Sequence, residues 1–244
     1  MLIAIVSDIH GNYPALEAAV KDAKAKGARK IFCAGDLTGY GPFPAEVVDF
    51  VKSRRIPTVI GNYDRKLLRG KNAMQSLRKK MKPYKWKILD WTRDQIGAKG
   101  RRYLGKLPEA FREQVYGRVD LMMVHGSPIS ENDTILPSIT PAALRKKMNC
   151  KPPHILVCGH IHIPFVKRIS NTLVVNCGSA GHPVDGDPRP AYALVRIEKA
   201  SKPSARIVRF EYPVEQVLAA IENSSLPNRL LKDFSEGNKK RETP

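Results

Sequence analysis

The chain has 244 residues, 42% of them hydrophobic, enough for one well-buried globular domain with a small elaboration. No apolar run approaches the roughly 20 residues of a membrane span. The apolar Met1–Val6 stretch lacks a basic leader, so it reads as a buried strand rather than a signal peptide, and a cytoplasmic location without membrane contact is expected. The net charge of +19 implies an acidic partner or substrate, or simply solubility, and its distribution decides between them.

Leu2–Val6 is a continuous apolar run of strand length. A loop follows, in which Pro14 is placed to open a helix; Leu16, Ala19, Val20 and Ala23 recur at helical spacing until Gly27. Ile31–Ala34 predicts a second strand, Pro44–Ser53 a helix and Thr58–Ile60 a third strand. This alternation predicts a parallel sheet with crossover helices. Residues 65–118 hold 17 Lys and Arg against 4 Asp and Glu, a net +13, with apolar residues scattered irregularly between the charges. Two or three amphipathic helices forming a basic cap are expected there.

From Val119 strand signals return: Val119–Val124, Ile155–Cys158, Phe165–Ile169, Leu173–Asn176, Ala191–Ile197 and Arg206–Tyr212. They predict a second, more antiparallel sheet. A short helix is expected at Asn228–Phe234 and disorder over 237–244, which makes residues 1–236 a single domain. Cys33, Cys150, Cys158 and Cys177 form no CxxC pair, and three of them sit in or beside apolar runs, as reduced buried thiols would.

The acids and histidines fall just after strands. Asp8 and His10 follow the first, Asp36 the second, Asn62 and Asp64 the third, His125 a later one, and His160 and His162 another. In open α/β sheets the ligand site lies beyond the carboxyl ends of the strands, so these groups can converge. A lone Asp after a strand is usually a helix cap and a lone His usually structural, as His154 is expected to be. Five strand ends carrying metal-ligand types are too many for capping alone. The oxygen and imidazole set suits Mn, Fe, Ni, Zn or Mg better than copper, and seven groups suit two ions sharing a carboxylate.

The ordered motifs Asp8-Ile9-His10, Gly35-Asp36, Gly61-Asn62-Tyr63-Asp64, His125-Gly126 and Gly159-His160-Ile161-His162 resemble those of the calcineurin-like metallophosphoesterases. The resemblance spans about Met1 to Tyr212 and looks closest to small prokaryotic phosphodiesterase-like and diadenosine-tetraphosphatase-like members. It implies an α/β fold of two facing mixed sheets flanked by helices, a four-layer αββα sandwich. It also implies that Asp8, His10 and His162 hold one divalent ion, that Asn62, His125 and His160 hold the other, and that Asp36 bridges them. Manganese is the first choice, with Fe, Ni, Co, Zn or Mg as alternatives. The ions would activate a bridging water against a phosphate mono- or diester, nucleotides and dinucleoside polyphosphates included.

Asp64 would orient its neighbours from behind the ligands. Tyr63 stands where many members have a His that protonates the leaving group, which shifts substrate or rate. His182 and Arg189 are candidate substrate contacts; the alternatives are a solvent-facing loop histidine and a turn-stabilising ion pair with a nearby Asp. Two other readings are a nucleic-acid-binding protein or nuclease using the basic segment, and a non-catalytic interaction module on the same fold.

Overall fold

Alternate residues of the first strand enter two different cores. In the computed structural model, which describes residues 1–236 except 116, 118, 149 and 200, β1 (Leu2–Val6) pairs in parallel with β2 (Lys30–Cys33). Ile3 and Ile5 point to one side, against Phe32, Leu121, Met123, Ile155, Val157 and Val175. Ala4 and Val6 point to the other, against Leu16, Ala19, Val47 and Val51 of α1 (Tyr13–Ala25) and α2 (Pro44–Ser53). A strand buried on both faces must be apolar throughout, which is why Leu2–Val6 shows no polar alternation.

The helices of this first layer start where expected. Asn12 caps α1, its side chain accepting from the Ala15 N–H at 3.1 Å, and proline opens both helices. The expected strand at Thr58–Ile60 contracts to an isolated parallel bridge between Thr58 and Cys33; the chain then turns away, the Ile60 N–H bonding the Pro108 carbonyl.

The basic stretch forms α3 (Asn62–Leu67), α4 (Lys71–Lys80) and α5 (Pro83–Leu104), the last kinked at Gly97. Met74, Leu89, Ile96 and Leu104 join the helical face of the first sheet. The helical part is shorter than expected, because Ala110–Val115 is a strand, β3, antiparallel to β4 (Val119–Val124). Its charged residues lie on an exposed edge, where they discourage pairing with another chain. Phe111 meanwhile packs edge-on against Phe32, with ring centroids 5.3 Å apart.

β4 continues in parallel to β5 (Ile155–Cys158) and β7 (Thr172–Asn176), and β6 (Phe165–Ile169) closes the far edge antiparallel to β7. α6 (Pro141–Lys147) covers the outer face through Leu144, over Met122, Leu156 and Val174. The later strands do not all join this second sheet. β8 (Ala191–Arg196) crosses back to pair antiparallel with β1, and β9 (Ser204–Arg209) follows it, giving the orders β2-β1-β8-β9 and β3-β4-β5-β7-β6. α7 (Val214–Glu222) and α8 (Arg229–Glu236) enclose Ile88 of α5 in an apolar cluster. The four layers are those of the expected αββα sandwich. The expectation for the tail at 237–244 lies outside the described residues. None of the described helices is long and apolar enough to cross a membrane.

Arg112 secures the edge strand. Its guanidinium donates to both oxygens of buried Asp120, at 2.9 and 2.6 Å, and to the Lys151 carbonyl at 2.9 Å. These bonds hold the Asp120 carboxyl below its usual range. Arg112→Met should cost about 1–2 kcal/mol at neutral pH, the lower part of the range for charged hydrogen bonds because the arginine is partly exposed. A depressed carboxyl stabilises the fold above its unfolded pKa and loses that contribution as pH falls through the folded one. The gap between wild type and variant in denaturant melts should therefore close below about pH 4.

Candidate metal centre

Three parallel elements of one sheet edge and two of the other end at the same place. β1 delivers Asp8 and His10, β2 delivers Asp36, and the turn after the Thr58 bridge delivers Asn62. From the facing sheet β4 delivers His125, and β5 delivers His160 and His162. All seven expected ligands meet in a mostly buried cluster. Two groupings within it could hold a metal ion, Asp8 with His10 and His162, and Asp8 with Asp36 and His125.

The histidines are oriented by backbone carbonyls. His10 Nδ1 lies 3.0 Å from the Thr38 oxygen, His125 Nδ1 2.8 Å from that of Ala34, and His162 Nδ1 2.6 Å from that of His182. A carbonyl only accepts, so each Nδ1 carries a hydrogen, and each ring, when neutral, presents a lone pair at Nε2. Those nitrogens face other acceptors. His10 Nε2 is 3.1 Å from His162 Nε2, and His125 Nε2 is 3.2 Å from Asn62 Oδ1. Asp36 Oδ2 stands 3.6 Å from His10 Nε2 and 3.5 Å from His125 Nε2. Asp8 Oδ1 is buried, accepts no hydrogen bond, and lies 3.2 Å from His162 Nε2. Lone pairs turned on lone pairs fit a cation between them.

The electrostatics agree. Burial pushes the Asp8 carboxyl up, but His162 and His125 outweigh it and hold it below the carboxylate range. Burial alone would discharge His125; Asp36 and Asp8 instead lift it to about 10, so without a metal a proton serves these carboxylates. His10 drops to about 4 and His160 likewise, burial being the main cause for both.

The backbone here is strained. Among the described residues, seven non-glycines have positive φ, and five of them are Asp8, His10, Asp36, His160 and His162. Each such residue costs on the order of 1–3 kcal/mol and persists where surrounding structure dictates it. Two glycines admit the close approach. A Cβ at Gly61 would overlap Asp36, and one at Gly159 would overlap Ser7 and Asp8.

Asp64 sits behind the ligands as expected. It accepts from the Leu37, Thr38 and Gly61 N–H groups at 3.1–3.2 Å and from the Thr38 hydroxyl at 2.8 Å, clamping the Asp36 loop to the start of α3. Burial and then Asp36 raise its pKa to about 6. The Tyr63 N–H bonds Asp36 Oδ1 at 2.8 Å, while its ring lies edge-on to His10 and its hydroxyl bonds that of Tyr40.

His182 is not the solvent-facing residue of the bland alternative. It is buried and stacked on Tyr40 at 4.3 Å, its ring edge-on to His162 at 5.8 Å, and its carbonyl orients His162. Arg189 takes the turn-stabilising role, its exposed guanidinium bonded to Asp187 at 2.8 and 3.1 Å. His154 is structural, its Nδ1 accepting from the Asp120 N–H.

Several supports carry no metal-ligand signature in the sequence. Ser7 donates to Asp8 Oδ2 at 2.6 Å, and Ser179 donates to the Asp8 carbonyl at 2.7 Å while accepting from the His182 N–H.

The calcineurin-like phosphoesterase superfamily domain matches residues 1–200. The uncharacterized protein MJ0912 of Methanocaldococcus jannaschii is 31% identical over 244 residues, covering 94% of this chain and 95% of its own. A metallophosphoesterase from Sphaerobacter thermophilus, known from its crystal structure, is 27% identical and superposes with a TM-score of 0.76 over 97% of this chain and 99% of its own. Protein PH1004 from Pyrococcus horikoshii OT3, at 24% identity, shares the fold with a TM-score of 0.85 over 98% of this chain and 99% of its own. The chain belongs to the calcineurin-like phosphoesterase superfamily.

Proposed function

We propose that the protein hydrolyses phosphate mono- or diesters, nucleotides among them, with two divalent metal ions held by the clustered ligands. The observation that carries this reading is the convergence of the Nε2 atoms of His10, His125 and His162 on Asp8, Asp36 and Asn62 oxygens, with the Nδ1 of each ring taken by a carbonyl. Asp8, His10 and His162 would hold one ion and Asn62, His125 and His160 the other. Asp36 would be the shared ligand, as the family resemblance implies; its Oδ2 stands 3.6 Å from His10 Nε2 and 3.5 Å from His125 Nε2, one from each set, while Asp8 Oδ1, at 3.8 and 3.9 Å from the same nitrogens, lies next to both sets as well. Manganese suits this oxygen and imidazole set, as do Fe, Co, Ni, Zn and Mg. Two such ions, when bound, supply a water nucleophile of lowered pKa and a clamp on the phosphoryl oxygens.

The chain's own groups do the rest. Asp64 fixes the distance between the Asp36 loop and Asn62. Tyr63 stays protonated at neutral pH, because burial and Tyr40 raise its pKa well above the phenol value. It can donate a hydrogen bond but is too weak an acid to release a proton to a leaving group. Free Cys33, Cys158 and Cys177, all buried, fit a reducing cytoplasm.

Exhaustive chelation should abolish turnover, and metal analysis of the reloaded protein should return two ions per chain; hydrolysis by verified metal-free protein would overturn the reading. Asp36→Asn should lower kcat by about 100-fold or more, as loss of a central electrostatic group does, and more than Asn62→Ala. Metal stoichiometry and kcat for both variants check this, and a doubly loaded Asp36→Asn enzyme with wild-type kcat would refute the shared-ligand assignment. Tyr63→His should raise kcat/KM on alkyl phosphate esters more than on nitrophenyl esters, because only the poor leaving group needs the proton. Equal effects on both ester classes would place Tyr63 away from the leaving group.

A further inference from the structure

Lys66 is the side chain the metal centre leaves unexplained. It lies one helical turn after Asn62 on α3, half-buried, with Nζ 4.2 Å from the centroid of the Tyr63 ring. That ring in turn lies 5.2 Å from the His10 ring, and the Tyr63 backbone N–H donates to Asp36 Oδ1. Lys66 is thus a cation placed beside the catalytic cluster rather than out in solvent.

Asp36 and Glu131 act on it from a distance, but neither pairs with it directly. Among the described residues it makes no hydrogen bond or ion pair. The acids that could have served are taken by its neighbour, since Arg65 binds Glu109 at 2.7 Å and Glu131 at 2.9 Å. More positive charge gathers instead. Lys85 of α5 and Arg69, just past the end of α3, are close enough to act on Lys66. Arg93 of α5 holds that turn in place by donating to the Arg69 carbonyl at 3.0 Å. Burial is the main influence lowering the Lys66 pKa; Asp36 and, more weakly, Glu131 oppose it, and Lys85 and Arg69 add to it. Three cations kept together with no acid paired directly to Lys66 are favourable around a polyanion.

We propose that Lys66, with Arg69 and Lys85, forms a subsite for the further phosphates of a substrate whose terminal phosphate ester is hydrolysed at the metal centre. The preferred substrates then carry a phosphate chain, and the Lys66 Nζ binds the phosphate adjoining the reacting one. The proposal rests on the phosphoesterase reading of the centre and goes beyond it in naming the substrate class and the residues that select it. It also narrows the basic segment to three side chains. Arg78, Lys79 and Lys80 at the end of α4 are exposed and take no part.

Two p-nitrophenyl esters separate the terms, that of thymidine 5′-monophosphate and the γ-ester of thymidine 5′-triphosphate. They share nucleoside and leaving group and differ in the phosphate chain. With manganese-loaded full-length protein, Lys66→Met should raise KM for the triphosphate ester about tenfold, the equivalent of one charge-assisted hydrogen bond, with kcat little changed. KM for the monophosphate ester should move less than about twofold, within the range of a surface charge. Lys66→Arg should retain the preference, and the Arg78, Lys79 and Lys80 triple alanine variant should leave it intact.

Equal losses on both esters would mean that Lys66 serves the reacting phosphate or the fold. No loss on either would make it a solvated charge. Both results overturn the subsite. A second arm needs no turnover: calorimetric binding of inorganic tripolyphosphate to the metal-free protein should weaken with Lys66→Met, and equal affinity for wild type and variant also overturns the subsite. Wild type that hydrolyses neither ester yet binds tripolyphosphate through Lys66 would instead refute the phosphoesterase reading and leave the anion subsite standing.

Discussion

The structure turns on one constraint, that acceptors which repel each other must be held within 3–4 Å in a buried place. Asp8, Asp36, Asn62 and the Nε2 atoms of three histidines have few hydrogens to share among them. Five of the positions also hold unfavourable backbone conformations. Such an arrangement does not assemble from local preference. It persists because six of the seven groups follow buried strands and Asn62 follows the Thr58 bridge beside them, where large apolar side chains each contribute about 1.5–3 kcal/mol. The inter-sheet core around Ile3, Ile5, Val157 and Val175 is thus the scaffold from which the cluster is displayed.

The hydrogen bonds behind the ligands show how repulsion becomes selectivity. Carbonyls of Ala34, Thr38 and His182 take the Nδ1 hydrogens and so turn Nε2 of each ring toward the cluster. Ser7 and the His160 N–H both occupy Asp8 Oδ2, leaving Oδ1 alone to face inward. Asp64 spends both its oxygens on the two loops that carry Asp36 and Asn62. Side chains that never touch an ion thereby decide which lone pairs point where.

Much of this was legible in the sequence wherever one local rule governed a segment. β1 and β5 are short apolar runs, Pro44 opens α2, and the ligands stand at fixed offsets from strand ends. The signals failed where a distant partner decided. Ala110–Val115 has no strand pattern of its own, and it is a strand because Arg112 finds Asp120 and Phe111 finds Phe32. β8 and β9 look like a continuation of the second sheet, yet β8 pairs with β1, nearly 190 residues earlier, a choice no local spacing records. Thr58–Ile60 has strand composition, but the turn into Gly61 and Asn62 ends it after one bridge. His182 resembled a loop histidine because its stacking partner, Tyr40, is remote in sequence.

The division between legible and illegible parts follows a division of labour. The clustered acids and histidines obey spacing rules because strand ends set their positions. What surrounds the centre is set by tertiary contacts peculiar to this chain. Tyr63 meets Tyr40, His182 lies flat on Tyr40, and Phe234 of the last helix closes against His182 at 5.4 Å. The last helix therefore reaches the centre through the second contact of that aromatic stack, although it lies outside the residues matched to the superfamily domain. The aromatic wall beside the cluster is built from residues that the strand-end motifs do not specify. The cluster is set by strand ends and its surroundings by helices packed over them, which is why the sequence announces the first so much more clearly than the second.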